Sequence, residues 1–157
     1  MNKLFLALTF IFIGLTVQSQ ETTKNALGIR LGNNDGIGFE ISYQRALGTK
    51  QRLEADLGWR TGDSYDSYQL TGLYQWVWPI INKLNWFVGA GGGFGSRDYK
   101  QTDQQSGDND VFVFIAGDVG IEYNFNIPLV ISLDFRPAYG SNDYDAYDFG
   151  FGFRYKF

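Results

Sequence analysis

The chain has 157 residues, a formal net charge of −4, no cysteine and no histidine. The missing residue types exclude disulfides, a cysteine-linked lipid anchor, Ser-His-Asp and Cys-His catalytic sets and histidine-based metal sites. The negative charge argues against a nucleic-acid partner, which requires a basic face. Mean hydropathy is −0.22 although 18% of the residues are aromatic, so a bundle of transmembrane helices is not expected.

Residues 1–19 have the pattern of a cleaved export signal. Lys3 gives a positive start, an apolar run follows over Leu4–Val17, and Ser19 is a tolerated residue at the −1 position of a signal-peptidase site. The apolar run is too short to span a membrane comfortably as an anchor. We therefore expect a signal peptide over 1–19 and a single exported domain over 20–157.

Eight segments alternate between apolar and polar or small residues, and no segment has a convincing helical period. Segments of about ten residues joined by short polar connections predict antiparallel hairpins, and eight strands close naturally into a barrel without edges. The predicted strands are Ala26–Gly32, Gly36–Leu47, Arg52–Arg60, Tyr68–Trp78, Asn85–Gly95, Val111–Phe125, Leu129–Tyr139 and Ala146–Phe157.

The last predicted strand shows the alternation most clearly, because every second residue is aromatic. Such a face exposed to water would aggregate or seek a partner, so lipid is its simplest solvent. The residues between the aromatic ones are small or charged. The aromatic set is Tyr147, Phe149, Phe151, Phe153, Tyr155 and Phe157, and the alternate set is Asp148, Gly150, Gly152, Arg154 and Lys156.

The residues that share a strand face with the charges indicate which face points inward. The charged face also carries most of the strand glycines, which suits a narrow lumen, and Trp and Tyr lie near strand ends, as in interfacial girdles. The fold class predicted is an all-β, eight-stranded antiparallel up-and-down transmembrane β-barrel. A soluble lipocalin-like barrel with its aromatics inside is the alternative. Lumen charges of both signs could pair: Arg30, Arg52, Arg60, Arg136, Arg154 and Lys156 with Glu40, Glu54, Asp56, Asp118, Glu122, Asp134 and Asp148.

With its export signal, alternating strands and terminal Phe157, the chain resembles the small eight-stranded outer-membrane barrels of Gram-negative bacteria, the OmpA/OmpX-like class. The signal ending before Gln20 resembles those of Bacteroidota-type secreted proteins. The resemblance implies that the barrel-assembly machinery reads Phe157, Tyr155 and Phe153. It also implies periplasmic termini, so that the longer connections face outside: Asn33–Asp35, Thr61–Asp66, Ser96–Asp110 and Gly140–Asp145.

Few residues suggest chemistry. Glu54, Asp56 and Glu122 could form an acid/base pair, but salt-bridged filling of the lumen is the simpler interpretation. The run Gly89–Gly95 fails the dinucleotide pattern G-x-G-x-x-G and has no following helix. Acidic loop residues could ligate Ca²⁺ without matching an EF-hand, and tyrosines beside them could contact another surface. These acids are Asp98, Asp103, Asp108, Asp110, Asp143 and Asp145, and the tyrosines are Tyr65, Tyr99 and Tyr144.

We therefore predict no catalytic, cofactor-binding or metal site. The expected protein is a monomeric, non-enzymatic barrel of the cell outer membrane, in contact with lipid and lipopolysaccharide, that supports envelope integrity or surface interaction through acidic loops. A small pore or ligand conduit, a lipid-modifying enzyme and a soluble ligand-binding barrel are the alternatives.

Overall fold

The computed structural model describes residues 24–33, 38–61, 65–99 and 109–157. The predicted signal peptide, residues 1–19, lies outside these ranges. Eight strands form one closed antiparallel sheet in sequence order. They are β1 (Asn25–Gly32), β2 (Gly38–Ala46), β3 (Gln51–Thr61), β4 (Tyr65–Ile81), β5 (Leu84–Tyr99), β6 (Asn109–Asn124), β7 (Leu129–Gly140) and β8 (Asp145–Lys156).

The barrel closes where β8 pairs with β1, from Ala26 opposite Lys156 to Gly32 opposite Gly150. Asn25 and Phe157 extend this pairing, because each backbone N–H donates to the other residue's carbonyl oxygen at 3.2 and 2.9 Å. Closure pairs the edges of the first and last strands. None of the described residues forms a helix long and apolar enough to cross a membrane. The predicted fold class is confirmed.

The two ends of the barrel differ in their connections. The terminal end, where both chain termini of the barrel lie, carries the β2–β3, β4–β5 and β6–β7 turns. The loop end carries the other four connections. The β4–β5 turn is the tightest, with Lys83 in the left-handed region at φ 69°. Short turns at the end that holds the termini are typical of periplasmic turns in outer-membrane barrels.

The strand boundaries predicted from the sequence are wrong in the middle of the chain. The predicted loop Ser96–Asp110 contains the end of β5 and the start of β6, because Ser96 and Arg97 pair with both neighbouring strands. The predicted turn Pro79–Leu84 shortens to a few residues, since β4 continues past Pro79 through a register shift. A proline cannot donate to the ladder, so an irregularity there is expected.

The barrel is polar inside and apolar outside. Arg30 and Gln75 are fully buried in the lumen, whereas Ile115 and Tyr147 on the outer face are 70% and 71% exposed. The soluble-barrel alternative requires the opposite arrangement and is therefore wrong. The outer face also carries Trp59, Tyr68, Trp76, Trp86, Tyr139 and Tyr155, all exposed, as predicted for interfacial aromatics.

Glycines make room for the largest lumen side chains. A Cβ added to Gly150 would lie 2.3 Å from Cζ of Arg30, and one added to Gly120 would lie 2.5 Å from Cζ of Phe87. Both distances are far shorter than van der Waals contact, so these positions must lack a side chain while Arg30 and Phe87 keep their places. The prediction that the glycine face lines a narrow lumen is confirmed.

Candidate functional site: the lumen and its two mouths

Arg30 on β1 is the first centre of a charge network in the lumen. Its Nη1 donates to Glu40 at 3.2 Å and to Asp148 at 2.8 Å, and its Nε donates to Asp134 at 2.9 Å. The guanidinium thereby joins β1 to β2, β7 and β8. Arg60 on β3 adds a second contact to Asp148 at 3.0 Å. Because three carboxylates share one arginine, Arg30 braces the barrel across its interior.

Arg136 on β7 is the second centre, and it lies against β3. Its Nη1 donates to Asp56 at 2.9 Å and its Nη2 donates to Glu54 at 2.8 Å. Its Nε lies 3.9 Å from Asp118 on β6. Arg136, Glu54, Asp56 and Asp118 are all at least nine-tenths buried. Buried charges of this kind are tolerated when they are paired and hydrogen-bonded.

Two further arginines extend the network toward the terminal end. Arg154 on β8 donates to Ser42 at 2.9 Å and to Ser132 at 2.8 Å, and lies 3.4 Å from Glu54. Arg52 on β3 donates to Gln75 and to Glu122, and its guanidinium stacks 4.7 Å above the ring of Phe87. The predicted pairing of lumen charges of both signs is confirmed for the arginines. Lys156, which belongs to the predicted set, donates instead to the amide oxygen of Asn124.

The candidate acid/base set is divided between two arginines. Glu54 and Asp56 both bind Arg136, whereas Glu122 binds Arg52. Glu54 and Asp56 are 3% and 1% exposed, so a substrate has no route to them in this conformation. The geometry is that of salt-bridged filling, the simpler of the two interpretations of these residues.

An aromatic plug closes the lumen at the loop end. The ring of Tyr144 stacks on Phe112 with centroids 4.4 Å apart and lies 4.9 Å from Phe114. Arg97 covers the plug from β5, with its guanidinium 4.9 Å from the ring centroid of Phe112. The Tyr144 hydroxyl donates to Gln69 at 3.1 Å. The plug comprises Leu73, Phe112, Phe114, Ala116, Tyr144 and Ala146.

The plug corrects one expectation from the sequence. Tyr144 was grouped with Tyr65 and Tyr99 as a tyrosine that could contact another surface, but its side chain is 7% exposed and belongs to the plug. Burial raises the pKa of its phenol above the usual value. Tyr99 at the end of β5 is exposed as expected, and Tyr65 begins β4.

The acidic residues proposed for Ca²⁺ lie on different elements of the loop end. Asp98 is the second-last residue of β5. Asp110 is the second residue of β6, where it is opposite Arg97 in the register. Asp143 lies in the β7–β8 turn and Asp145 begins β8. Asp103 and Asp108 lie outside the described residues. The described part of the chain contains no group of three or more acidic side chains placed to hold a metal ion.

At the terminal end, by contrast, the lumen widens into an open vestibule of about 250 Å³. Its lining comes from all eight strands and the β2–β3 turn. The sequence did not reveal it, because its residues are dispersed over the whole chain. We define the terminal vestibule by Lys24, Asn25, Ala26, Gln44, Ala46, Gly48, Thr49, Lys50, Gln51, Arg52, Val77, Asn85, Glu122, Asn124, Val130 and Lys156.

No protein-family model matches the sequence, and no curated protein sequence matches it significantly. Solved structures do match the fold. The N-terminal β-barrel domain of OprF from Pseudomonas aeruginosa has a TM-score of 0.73 at 13% identity, over 88% of this chain and 100% of that one. Neisserial surface protein A has a TM-score of 0.65 at 11% identity, over 85% and 94%. At these identities the likeness establishes the fold alone.

A third similar structure is Ail, the attachment invasion locus protein of Yersinia pestis. It has a TM-score of 0.60 at 15% identity, over 85% of this chain and 96% of that one. Ail has also been solved in complex with the heparin analogue sucrose octasulfate. The eight-stranded fold is thus shared with bacterial surface barrels of several genera.

Proposed function

We propose that this protein is a Gram-negative outer-membrane β-barrel that acts without catalysis, in envelope integrity or in contacts at the cell surface. The observation that carries the proposal is a filled lumen inside an apolar wall. Arg30 and Arg136 are held by carboxylates from several strands, and the plug lies between them and the loop end. Since the interior is occupied, we assign the function to the outer surfaces.

The location in the outer membrane rests on the exposed wall. Leu57, Phe94 and Ile115 are more than half exposed on strands that pair on both sides. A soluble protein does not normally leave so large a contiguous apolar area in water. We assign lipid to this face and, at the loop end, lipopolysaccharide, with the protein inserted as a monomer.

One fractionation experiment tests the location. The chain with its first 19 residues is expressed, the outer membrane is extracted in mild detergent, and unboiled samples are compared with boiled ones on an SDS gel. We expect a heat-dependent change in mobility in the membrane fraction, because a folded barrel resists SDS until heated. Recovery of the protein in the soluble periplasm, with no mobility change, would contradict the proposal.

The pore alternative has a separate test. Because the plug and the arginine network fill the lumen, the purified barrel should show no conductance steps in planar bilayers, even at high protein load. Regular steps that a Phe112→Ala substitution enlarges would support a gated pore instead.

The enzyme alternative depends on the lumen or rim carboxylates. If the protein turned over a lipid substrate through Glu54, Asp56 and Glu122, their change to amides should abolish turnover. We expect no turnover to measure in the parent protein. Lipid hydrolysis by the purified barrel that these substitutions remove would support the alternative.

For surface contacts, the loops of this chain favour a partner with basic groups. The loop end carries acidic residues, including Asp98 in β5, Asp110 in β6 and Asp143 in the β7–β8 connection. A highly sulfated sugar such as the sucrose octasulfate of the Ail complex would be repelled by these charges. Replacing 100–108, which contains Asp103 and Asp108, by a short Gly-Ser linker should weaken adhesion to a cationic surface without changing the heat-dependent gel shift. Unchanged adhesion would show that residues 100–108 do not make the surface contact.

Assembly through the last strand is the remaining proposal. Phe157 pairs with Asn25 at the closing seam and resembles the terminal aromatic residue that the barrel-assembly machinery reads. Phe157→Ala should lower the folded amount in the outer membrane in cells. Phe149→Ala is the matched control, since this residue lies on the same face of β8 and is 60% exposed. Equal losses in both variants would indicate lost lipid contact rather than recognition of the terminus.

A further inference from the structure

We propose that the terminal vestibule is a binding site for a small oxyanion, a carboxylate or a phosphate group. Nothing in the proposed surface function requires such a site, and the inference rests on different residues. Its first support is shape. All eight strands line the vestibule, and its volume of about 250 Å³ is enough for roughly eight water molecules at their share of liquid volume. That is room for an anionic group and a short substituent.

The second support is the excess of positive charge. Among the described lining residues, Lys24, Lys50, Arg52 and Lys156 are cationic, and Glu122 is the carboxylate. With Lys24 set aside, because it makes a further interaction, this composition leaves two positive charges in excess inside a concave, partly desolvated mouth. Concave surfaces lined by one sign of charge concentrate the field and attract the opposite charge. An anion is therefore the ligand class that this mouth selects.

The third support is that the carboxylate is already occupied. Glu122 accepts hydrogen bonds from Arg52, from Asn85 at 3.1 Å and from Asn124 at 3.4 Å. Asn124 in turn accepts a hydrogen bond from the Lys156 ammonium group. Glu122 is thus engaged by three partners, and its single negative charge cannot balance Arg52, Lys50 and Lys156 together.

Arg52 supplies the fourth support. Its Nε and Nη1 donate to Gln75 and Glu122, while Nη2 is buried and has no hydrogen-bond partner in the described part of the chain. Leaving such a donor unpaired is costly. An oxyanion in the vestibule is the kind of group that would supply the missing acceptor. Neutral donors on Asn85, Asn124 and Gln51 lie in the same lining.

The test uses the purified, folded barrel in detergent micelles, labelled with ¹⁵N. Inorganic phosphate and, separately, acetate are titrated at constant ionic strength, with choline chloride as a cationic probe. We expect saturable shifts of the amide signals of Lys50, Gln51, Asn85 and Asn124 with one or both anions, and none with choline. Signals of the loop-end turn, such as Ser141, should not move. Since screening weakens such contacts, the affinity should fall as sodium chloride is added.

Two variants make the test specific. Lys50→Gln and Lys156→Gln combined should weaken anion binding by about two- to thirtyfold, because each exposed charge contact contributes about 0.2–1 kcal/mol. Lys83→Gln is the matched control, since Lys83 lies in a turn at the same end but outside the vestibule lining. All variants should keep the heat-dependent gel shift, so a failure to fold is recognised separately.

Three outcomes would overturn the proposal. The first is that neither anion shifts the vestibule signals in a saturable way. The second is that the Lys50 and Lys156 double variant binds anions as the parent does. The third is that Lys83→Gln weakens binding equally, which would indicate a general effect of surface charge. Phosphate and acetate distinguish the chemistry of the ligand. Tighter binding of phosphate would favour a phosphorylated compound or headgroup, and tighter binding of acetate would favour a carboxylate such as a peptide terminus.

Discussion

The two ends of the lumen differ in chemistry, because the loop end is filled by aromatic rings and the terminal end is lined by charged and polar side chains. At the loop end, Phe112 and Tyr144 stack at 4.4 Å and fill the mouth with buried aromatic rings. At the terminal end, Lys50 and Lys156 line an open vestibule. Between the ends, arginines and carboxylates fill the interior. The aromatic plug therefore lies at one end of the lumen and the proposed anion site lies at the other.

The difference also separates stability from binding. The plug and the central network are buried, so their removal exposes apolar surface or isolates charges. Lys50 and Lys156 line the open vestibule, so these two side chains contribute little to folding. Single substitutions in the lumen can test this separation, since they should cost unequal amounts of stability.

Arg30→Ala should cause the largest loss. The substitution leaves Glu40, Asp134 and Asp148 buried without their shared partner, and breaking a buried ion pair costs about 3–5 kcal/mol. With three carboxylates involved, we expect the upper part of that range, measured as the free energy of urea unfolding in lipid vesicles. Lys83→Ala in the terminal turn is the control and should change it by less than about 0.5 kcal/mol. An Arg30 variant as stable as the control would mean that the charge network does not stabilise the folded barrel.

Phe112→Ala should come next, with a loss of about 3 kcal/mol from the plug. Phe94→Ala provides the comparison, because Phe94 lies on the neighbouring strand but faces outward and is 55% exposed. Its smaller loss should reflect only lipid contact. Equal losses from the two positions would show that the plug is no better packed than the outer wall.

Most of this architecture can be predicted from the sequence, because strand residues alternate strictly between two faces. The aromatic face of β8 and the glycine face of the lumen follow from that alternation alone. The pairing of individual lumen charges does not follow from the alternation. Arg30 and Asp134 are 104 residues apart, and only barrel closure and the stagger of the strands bring them together. A list of lumen charges therefore gives the composition of the network without its contacts.

Tyr144 and the end of β5 were missed for local reasons. Tyr144 follows Asn142 and Asp143, which both have positive φ values of 55° and 54°. This tight turn returns the chain to the barrel with the tyrosine ring buried in the lumen, although its neighbours in sequence are polar. Ser96 and Arg97 extend β5 without apolar alternation, because their backbone groups pair with β4 and β6. Neither feature has a periodic signal in the sequence.

A pair of glycine substitutions tests how tightly the lumen is filled. Gly150→Ala places a Cβ 2.3 Å from Cζ of Arg30, so the guanidinium must move and its ion pairs must loosen. We expect a loss of about 1–3 kcal/mol in unfolding free energy, as for an overpacked core. Gly72→Ala is the matched control, because its added Cβ would meet nothing closer than a backbone oxygen at 4.0 Å. A neutral Gly150→Ala would indicate that the lumen has spare room.

Tyr144→Phe is the mildest change to the plug, since it keeps the ring and removes only the hydroxyl that donates to Gln69 at 3.1 Å. We expect a loss of about 1 kcal/mol at neutral pH. Burial raises the pKa of the Tyr144 phenol above its ordinary value of 10.0. Above that pH the unfolded chain releases the phenol proton before the folded barrel does, so the parent protein loses stability as the pH rises. The phenylalanine variant lacks this contribution, and the stability gap between the two proteins should narrow above pH 10. A gap that stays constant or widens over that range would show that Tyr144 is as open to solvent as a residue at the vestibule, and that the loop end is not dry.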